Sequence, residues 1–143
     1  LTENVRVIYA GDHAVAFVPV CARYAYEVWI APKRAAPSLA ALTPEERRDL
    51  AMAIKVVLRK YDALWDRPFP YLMVAHQAPT DGVEHPEAHV HFEFYPPYRT
   101  QNKLKYLAGT EIGAGFFAAD SLPEDKAREL REVQINLSPE ETT

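Results

Sequence analysis

The sequence predicts an α+β domain in which an antiparallel sheet packs against one long helix and a short C-terminal helix. Several short segments alternate apolar and polar residues, with the period of two that is typical of half-buried strands. One stretch of roughly 21 residues instead repeats apolar side chains at spacings of three and four, as one face of a helix does. A shorter stretch near the C-terminus has the same spacing.

The first strands are expected in the N-terminal third of the chain. Residues 4 to 10 alternate, Gly11 and Asp12 have the composition of a turn, and an apolar run follows at residues 14 to 20. This order predicts a hairpin. A further strand is expected at residues 25 to 31, closed by a proline, and the connections are short enough for antiparallel pairing.

The long helix has a well-defined start. Thr43 has the side chain of an N-cap, Pro44 fits the first helical position, and Glu46 completes a capping box. The apolar stripe predicted to face the core follows it: Leu50, Ile54, Val57, Leu58, Tyr61, Leu64 and Trp65.

Two more strands and the second helix follow. Residues 68 to 79 contain a strand candidate that ends at His76, and residues 87 to 95 alternate strictly. The loop "TDGVEHP" joins them, so the two strands are predicted to be neighbours. Ser121 and Glu124 have capping-box spacing ahead of a short amphipathic helix.

Composition excludes some classes of protein. The 143 residues suit a single domain, 1 to 143, and a net charge of −4 with scattered Lys and Arg argues against nucleic-acid binding. No apolar run is long enough to cross a bilayer, and no leader-like segment opens the chain. We therefore expect a cytoplasmic protein with no membrane partner. Since the chain begins at Leu1, we also expect it to be part of a longer protein.

The segment "HPEAHVHFEFYPP", residues 85 to 97, holds three of the five histidines. In a strand, His89, His91 and Glu93 lie on one face, while the alternate apolar residues face the core. Imidazole and carboxylate groups at this spacing can bind a divalent metal, and without thiolates zinc or iron is favoured. His76, at the end of the neighbouring strand candidate, is the fourth candidate ligand.

The same pattern leaves other functions open. Alternating histidines are typical of the histidine-triad superfamily, in which a strand histidine attacks an α-phosphate. His91 would then be the nucleophile of a self-sufficient nucleotide hydrolase or phosphorylase, oriented by His89 and Glu93. A non-catalytic domain that binds a metal or a sugar phosphate is the third possibility.

Most of the chain resembles the C-terminal half of the galactose-1-phosphate uridylyltransferases, which are relatives of the histidine-triad proteins. The segments that carry the resemblance are, in order, "AFVPVCARYAYEVWIAPKR", "LTPEERRDLAMAIKVVLRKYDALW", "FPYLMVAHQAP", "HVHFEFYPP" and "LKYLAGTEIGAG". The resemblance implies a histidine-triad-like fold. It also implies an enzyme of galactose metabolism that exchanges UMP between UDP-glucose and galactose 1-phosphate.

The family resemblance also implies partners. The family's nucleophile is the second histidine of a His-Pro-His motif in the N-terminal half, and this chain has no such motif. We therefore expect no catalytic nucleophile in this chain, an N-terminal half that supplies it, and a homodimer.

The resemblance implies two sets of site residues. In some members, the histidine before "AP" and two alternating residues ahead of Tyr-Pro-Pro bind iron or zinc. Those positions are His76, His91 and Glu93 here, with His89 as an extra candidate. The segment that reaches the hexose phosphate matches Lys105, Ala108, Thr110 and Glu111.

Overall fold

The computed structural model describes residues 4 to 119 and 121 to 137. A 3-10 turn at Asn4–Arg6 leads into seven strands and three helices. The strands are β1 (Val7–Ala10), β2 (Ala14–Phe17), β3 (Val28–Pro32), β4 (Leu72–His76), β5 (His91–Tyr95), β6 (Tyr98–Thr100) and β7 (Lys103–Leu104). The helices are α1 (Pro44–Leu64), α2 (Gly109–Ala114) and α3 (Pro123–Glu132). The predicted α+β class is confirmed.

Five strands form one antiparallel sheet in the order β1-β2-β3-β5-β4. The predicted hairpin is therefore present, and β4 and β5 are neighbours as expected. β6 and β7 form a separate two-stranded hairpin. Within the described part of the chain, no helix is both long enough and apolar enough to cross a membrane.

The core lies between one face of the sheet and the helices. Helix α1 packs across β1, β2 and β3, and α3 packs beside β1. Alternation sends Phe92 and Phe94 of β5 into this core, where the Phe94 ring contacts the buried Tyr61 of α1. The alternate residues of β3 and β5 lie on the opposite face of the sheet.

The start of α1 agrees with the prediction. Thr43 accepts a hydrogen bond from the backbone N–H of Glu46, and the Glu46 carboxylate accepts one from the backbone N–H of Thr43. Arg34 adds two contacts of 2.6 Å to the same carboxylate. These hydrogen bonds, Arg34 first, lower the pKa of Glu46 to about 2. The first turn of the helix is thus fixed to the loop after β3.

Several predicted boundaries are wrong, those of α3 and β5 among them. Helix α3 begins at Pro123 with Leu122 as N-cap and no side-chain cap, because Glu124 pairs with Arg6 at 3.0 Å instead of reaching back toward Ser121. The histidine-rich strand begins at His91 rather than four residues earlier. Its ladder with β4 ends at the His76 and His91 pair, and the N–H of Val90 donates to Ala36 instead.

Candidate metal centre

Neighbouring positions of β4 and β5 carry the candidate ligands. In the antiparallel register, His76 lies opposite His91, and Val74 lies opposite Glu93. His91 and Glu93 are two residues apart on β5, so both side chains leave the sheet on the face away from the helices. The ladder therefore brings two imidazoles and one carboxylate to the same place.

The three side chains are close enough to share one ion. His91 Nε2 is 3.2 Å from Glu93 Oε1, and His76 Nε2 is 3.5 Å from Glu93 Oε2. One ligand atom from each residue lies within 4.8 Å of the other two. The two imidazole rings are stacked, with centroids 4.9 Å apart. This set of two imidazole nitrogens and a carboxylate oxygen suits zinc or ferrous iron.

The orientation of the His91 ring is fixed by a hydrogen bond and by ring stacking. Its Nδ1 is 2.7 Å from the backbone oxygen of His89, and its ring stacks on Trp29 with centroids 5.4 Å apart. A neutral imidazole that donates from Nδ1 presents a lone pair at Nε2. Here that lone pair would face a carboxylate oxygen, so a cation between Nε2 and Glu93 would satisfy both groups. The ring is oriented as second-shell contacts orient metal-binding histidines.

Glu93 is buried, with 6% of its surface exposed, and it has a cation beside it. Arg23, from the loop before β3, places its guanidinium 3.1 Å from Glu93 Oε2. The same guanidinium donates to the hydroxyl of Tyr95 and lies 4.7 Å above the centre of the Tyr95 ring. Glu93 therefore has protonatable or cationic neighbours on both of its oxygens.

Behind Arg23 lies a second carboxylate, that of the fully buried Glu27. Glu27 accepts hydrogen bonds from the backbone N–H groups of Arg23 and Tyr24, at 2.6 and 3.2 Å, and from the indole N–H of Trp29 at 2.9 Å. It is also 3.8 Å from the Arg23 guanidinium. Arg23 is thus shared between two buried carboxylates.

The segment at residues 105 to 111 lies close to the same loop. Lys105 Nζ donates to the backbone oxygens of Arg23 and Ala118, both at 2.7 Å, and is 4.0 Å from Glu111. The backbone N–H groups of Ala108 and Ala118 donate to Glu111, and they lower the pKa of Glu111 to about 2. Lys105 and Glu111 therefore fix the shape of this segment from inside.

Beside Arg23 is a cleft of about 490 Å³ with mostly aromatic and proline walls. Arg23 and Tyr95 form one side, so the cleft borders the candidate metal centre. Tyr24 and Phe117 belong to the same lining, and Phe117 connects the cleft to the segment that follows α2. The candidate ligands, the cleft and residues 105 to 111 are thus linked through Arg23, Tyr95 and Phe117.

Residues 1 to 141 match the family model for the galactose-1-phosphate uridyl transferase C-terminal domain. The chain belongs to the galactose-1-phosphate uridylyltransferase family. The family predicted from the motifs is confirmed, and so is the position of the chain within it as the C-terminal domain.

Known relatives agree with this assignment. A galactose-1-phosphate uridylyltransferase from Thermotoga maritima is 42% identical over 134 residues, which cover 92% of this chain and 42% of the relative. A solved uridylyltransferase structure has a TM-score of 0.84 and 40% identity, over 92% of this chain and 42% of the other. The chain therefore spans about two fifths of the length of these relatives.

A more distant structure confirms the fold alone. A histidine-triad nucleotide-binding protein from Sulfolobus tokodaii has a TM-score of 0.62 at 12% identity, over 90% of this chain and 82% of that protein. The histidine-triad-like sheet predicted for the uridylyltransferase domain is therefore present.

The structure brings together three of the four predicted ligands. His89 precedes β5, and it does not belong to the group formed by His76, His91 and Glu93 in the described residues. Its backbone oxygen orients the His91 ring, while its buried Nε2 has no hydrogen-bond partner among the described atoms. The prediction that the His89 side chain is a ligand was based on a strand that extends to residue 89, and the chain has left the sheet there.

Sequence reasoning did not identify Arg23 and Glu27 as part of the candidate site. Both lie about 50 residues or more from His76 and His91 in the sequence, so no local spacing connects them. A signal was nevertheless present, because Glu27 is the only charge in the apolar run "AYEVWIA". A carboxylate in such a run must find hydrogen-bond donors when the strand is buried.

Proposed function

We propose that this chain is the C-terminal domain of an enzyme that transfers UMP between UDP-glucose and galactose 1-phosphate. Membership of the uridylyltransferase family and the names of the relatives support this activity. The chain spans only two fifths of those relatives, and it lacks a His-Pro-His motif. The covalent step is therefore assigned to an N-terminal half. We also propose that the complete enzyme is a cytoplasmic homodimer.

Within that enzyme, we propose that His76, His91 and Glu93 hold a divalent metal ion, zinc or iron. The observation that carries this proposal is the His91 ring, whose two nitrogens both face oxygen atoms. The ion would supply positive charge between β4 and β5 and join the two strands. The residues of this chain would keep its ligands in place, with His89 contributing through its backbone oxygen.

We further propose that Lys105, Ala108, Thr110 and Glu111 form the part of the domain that contacts the sugar phosphate. Ala108 and Thr110 are exposed and available to a ligand. Lys105 and Glu111 have internal partners that hold the segment in shape, and the low pKa of Glu111 keeps it an acceptor for hydroxyl groups at neutral pH.

The geometry gives little support to His91 as a phosphate-attacking nucleophile. Its Nε2 faces the Glu93 carboxylate at 3.2 Å, and Glu27 adds a second buried carboxylate nearby. An incoming phosphate would meet like charge there. The nearest cation, Arg23, is engaged by both carboxylates.

The test is a uridylyl-transfer assay with UDP-glucose and galactose 1-phosphate, on this chain alone and on the chain joined to its N-terminal half. We expect no turnover by the chain alone and UDP-galactose formation by the joined protein. Turnover by the chain alone would contradict the assignment of the covalent step. Substrate binding without turnover by the joined protein would indicate a binding module instead.

A further inference from the structure

Arg23 has an unusual position for a residue next to a metal site. It is a cation in contact with one of the candidate ligands, and its side chain is 39% exposed while that of Glu93 is 8% exposed. A metal ion bound to Glu93 would therefore share a buried carboxylate with a guanidinium. Two cations on one carboxylate repel each other, and the low accessibility of Glu93 limits screening by water.

Several contacts also hold the Arg23 side chain beside Glu93. Its backbone N–H and guanidinium both face Glu27, which is fully buried. Its guanidinium donates to the Tyr95 hydroxyl, and the aromatic rings of Tyr95 and Phe117 lie 4.7 and 5.9 Å from it. These contacts place the positive charge beside Glu93 whether or not a metal is present.

We propose that Arg23 is a positioning residue that assembles the metal site in advance and weakens metal binding in return. It neutralises Glu93 before the ion arrives, so the three ligands stay together in the metal-free protein. The carboxylate oxygen that it occupies is the one nearer His76, which leaves the oxygen nearer His91 for the ion. The Arg23 guanidinium and the metal ion both interact with the Glu93 carboxylate and repel each other. Removing the guanidinium should therefore raise the affinity of the site for the metal ion. This inference rests on the proposed metal function of His76, His91 and Glu93.

The test is a zinc titration by calorimetry, with melting temperatures measured with and without zinc. Arg23→Met should lower the melting temperature of the metal-free chain, bind zinc about tenfold more tightly and gain more in melting temperature from zinc. A loss of packing alone would lower the melting temperature of the metal-free chain, but it would not raise the affinity for zinc. Arg23→Lys keeps the charge and should bind zinc with nearly wild-type affinity.

Arg34 offers a matched control, because it also pairs with a buried glutamate that is not a candidate ligand. Arg34→Met should lower the melting temperature and leave zinc affinity unchanged. If Arg23→Met does not fold, the double variant Arg23→Met with Glu27→Gln removes one of the two buried carboxylates that lose their cation, and it should bind zinc more tightly than Glu27→Gln alone.

The possible failures can be told apart. Zinc binding by the Arg23→Met chain that is equal to or weaker than wild type would overturn the role of Arg23 alone. An increase in zinc affinity in Arg23→Lys or in Arg34→Met as large as that in Arg23→Met would also overturn it. If neither the wild type nor Arg23→Met binds zinc, the proposed metal site is overturned as well.

Discussion

At the scale of single residues, His91 is the most informative side chain. Its Nδ1 faces a backbone oxygen at 2.7 Å and its Nε2 faces a carboxylate at 3.2 Å. Rings on both sides hold it in this orientation, Trp29 and His76. A ring fixed in this way has lost its rotamer freedom before any ligand arrives, and this lowers the entropic cost of binding an ion.

His91→Ala should abolish metal binding, because it removes one of the three candidate ligands and leaves only His76 and Glu93. We expect the bound zinc or iron to fall from about one ion per chain to a background level, measured by elemental analysis of the purified protein. His13→Ala is the control, since His13 is exposed in the turn between β1 and β2 and is not in the cluster. Unchanged metal content in His91→Ala would refute the ligand assignment.

Much of the site was predictable from single residues, and the failures have physical causes. Strict alternation correctly separated His91 and Glu93 from Phe92 and Phe94, because a strand leaves only two faces. The same rule was wrong for His89, since alternation in sequence does not show where pairing ends. Arg23 was not predictable, because its contact with Glu93 depends on how a distant loop folds over the sheet.

At the scale of elements, α1 is attached to the β1–β2 turn through Asp49. This carboxylate accepts hydrogen bonds from the Tyr9 hydroxyl at 2.7 Å and from the N–H groups of His13 and Ala14 at 2.5 and 2.8 Å. Burial alone would raise the pKa of Asp49, but these hydrogen bonds outweigh it and the pKa is lowered. A Cβ added to Gly11 would overlap the Asp49 carboxylate, so alanine at this position would displace a carboxylate that these hydrogen bonds hold in place.

Gly11→Ala and Asp49→Ala should each lower the free energy of unfolding by about 2 kcal/mol, the first by overlap and the second by lost hydrogen bonds. Their effects should not add. Without the Asp49 carboxylate, the alanine at position 11 has room, so its cost should fall below about 1 kcal/mol in the double variant. Denaturant unfolding measures all three variants.

Gly113→Ala is the matched control, because nothing lies within 4 Å of an added Cβ at that position. It should not lower the free energy of unfolding, and because Gly113 lies in α2 it should raise it by up to about 1 kcal/mol. Full additivity of Gly11→Ala and Asp49→Ala would show that the overlap with Asp49 is not the reason for the glycine.

The N-terminus of α1 should show a distinct pH dependence. The pKa of Glu46 is about 2 in the folded chain against an ordinary value of 4.5, so its ionised form stabilises the fold. This stabilisation is complete above pH 4.5 and is lost as the pH falls toward 2. The difference in melting temperature between wild type and Glu46→Gln should therefore be largest at neutral pH and shrink steadily below pH 4.5.

The exposed loop residue Glu84 supplies the control for this experiment. Glu84→Gln should differ only slightly from wild type in melting temperature, and this difference should not shrink below pH 4.5 as it does for Glu46→Gln. A Glu46→Gln difference that stays constant down to pH 2.5 would contradict the account of the capping box and Arg34.

Element prediction succeeded where a local signal marks an end. Thr43, Pro44 and Glu46 fixed the start of α1, because each group acts within one turn. It failed at α3, where Ser121 and Glu124 have the correct spacing but Arg6, from the other end of the chain, binds the glutamate. Strand lengths were overestimated for a similar reason, because the partner strand decides where the ladder ends.

At the scale of the whole molecule, the domain exposes surfaces that an isolated domain would be expected to cover. On β4, Leu72 and Met73 are 58% and 49% exposed, and around α2 Tyr106, Ile112 and Phe116 are more than three quarters exposed. Exposed apolar side chains are typical of protein interfaces where they form a patch. They agree with a chain that spans two fifths of the length of its uridylyltransferase relatives.

The most direct test of the account is X-ray diffraction from crystals of the zinc-loaded chain, collected on both sides of the zinc absorption edge. We predict one anomalous peak per chain, bonded to Nε2 of His76, Nε2 of His91 and a carboxylate oxygen of Glu93. The expected distances are about 2.0 to 2.2 Å. Ordered side chains at these three positions with no peak between them, or a peak at other residues, would contradict the central claim.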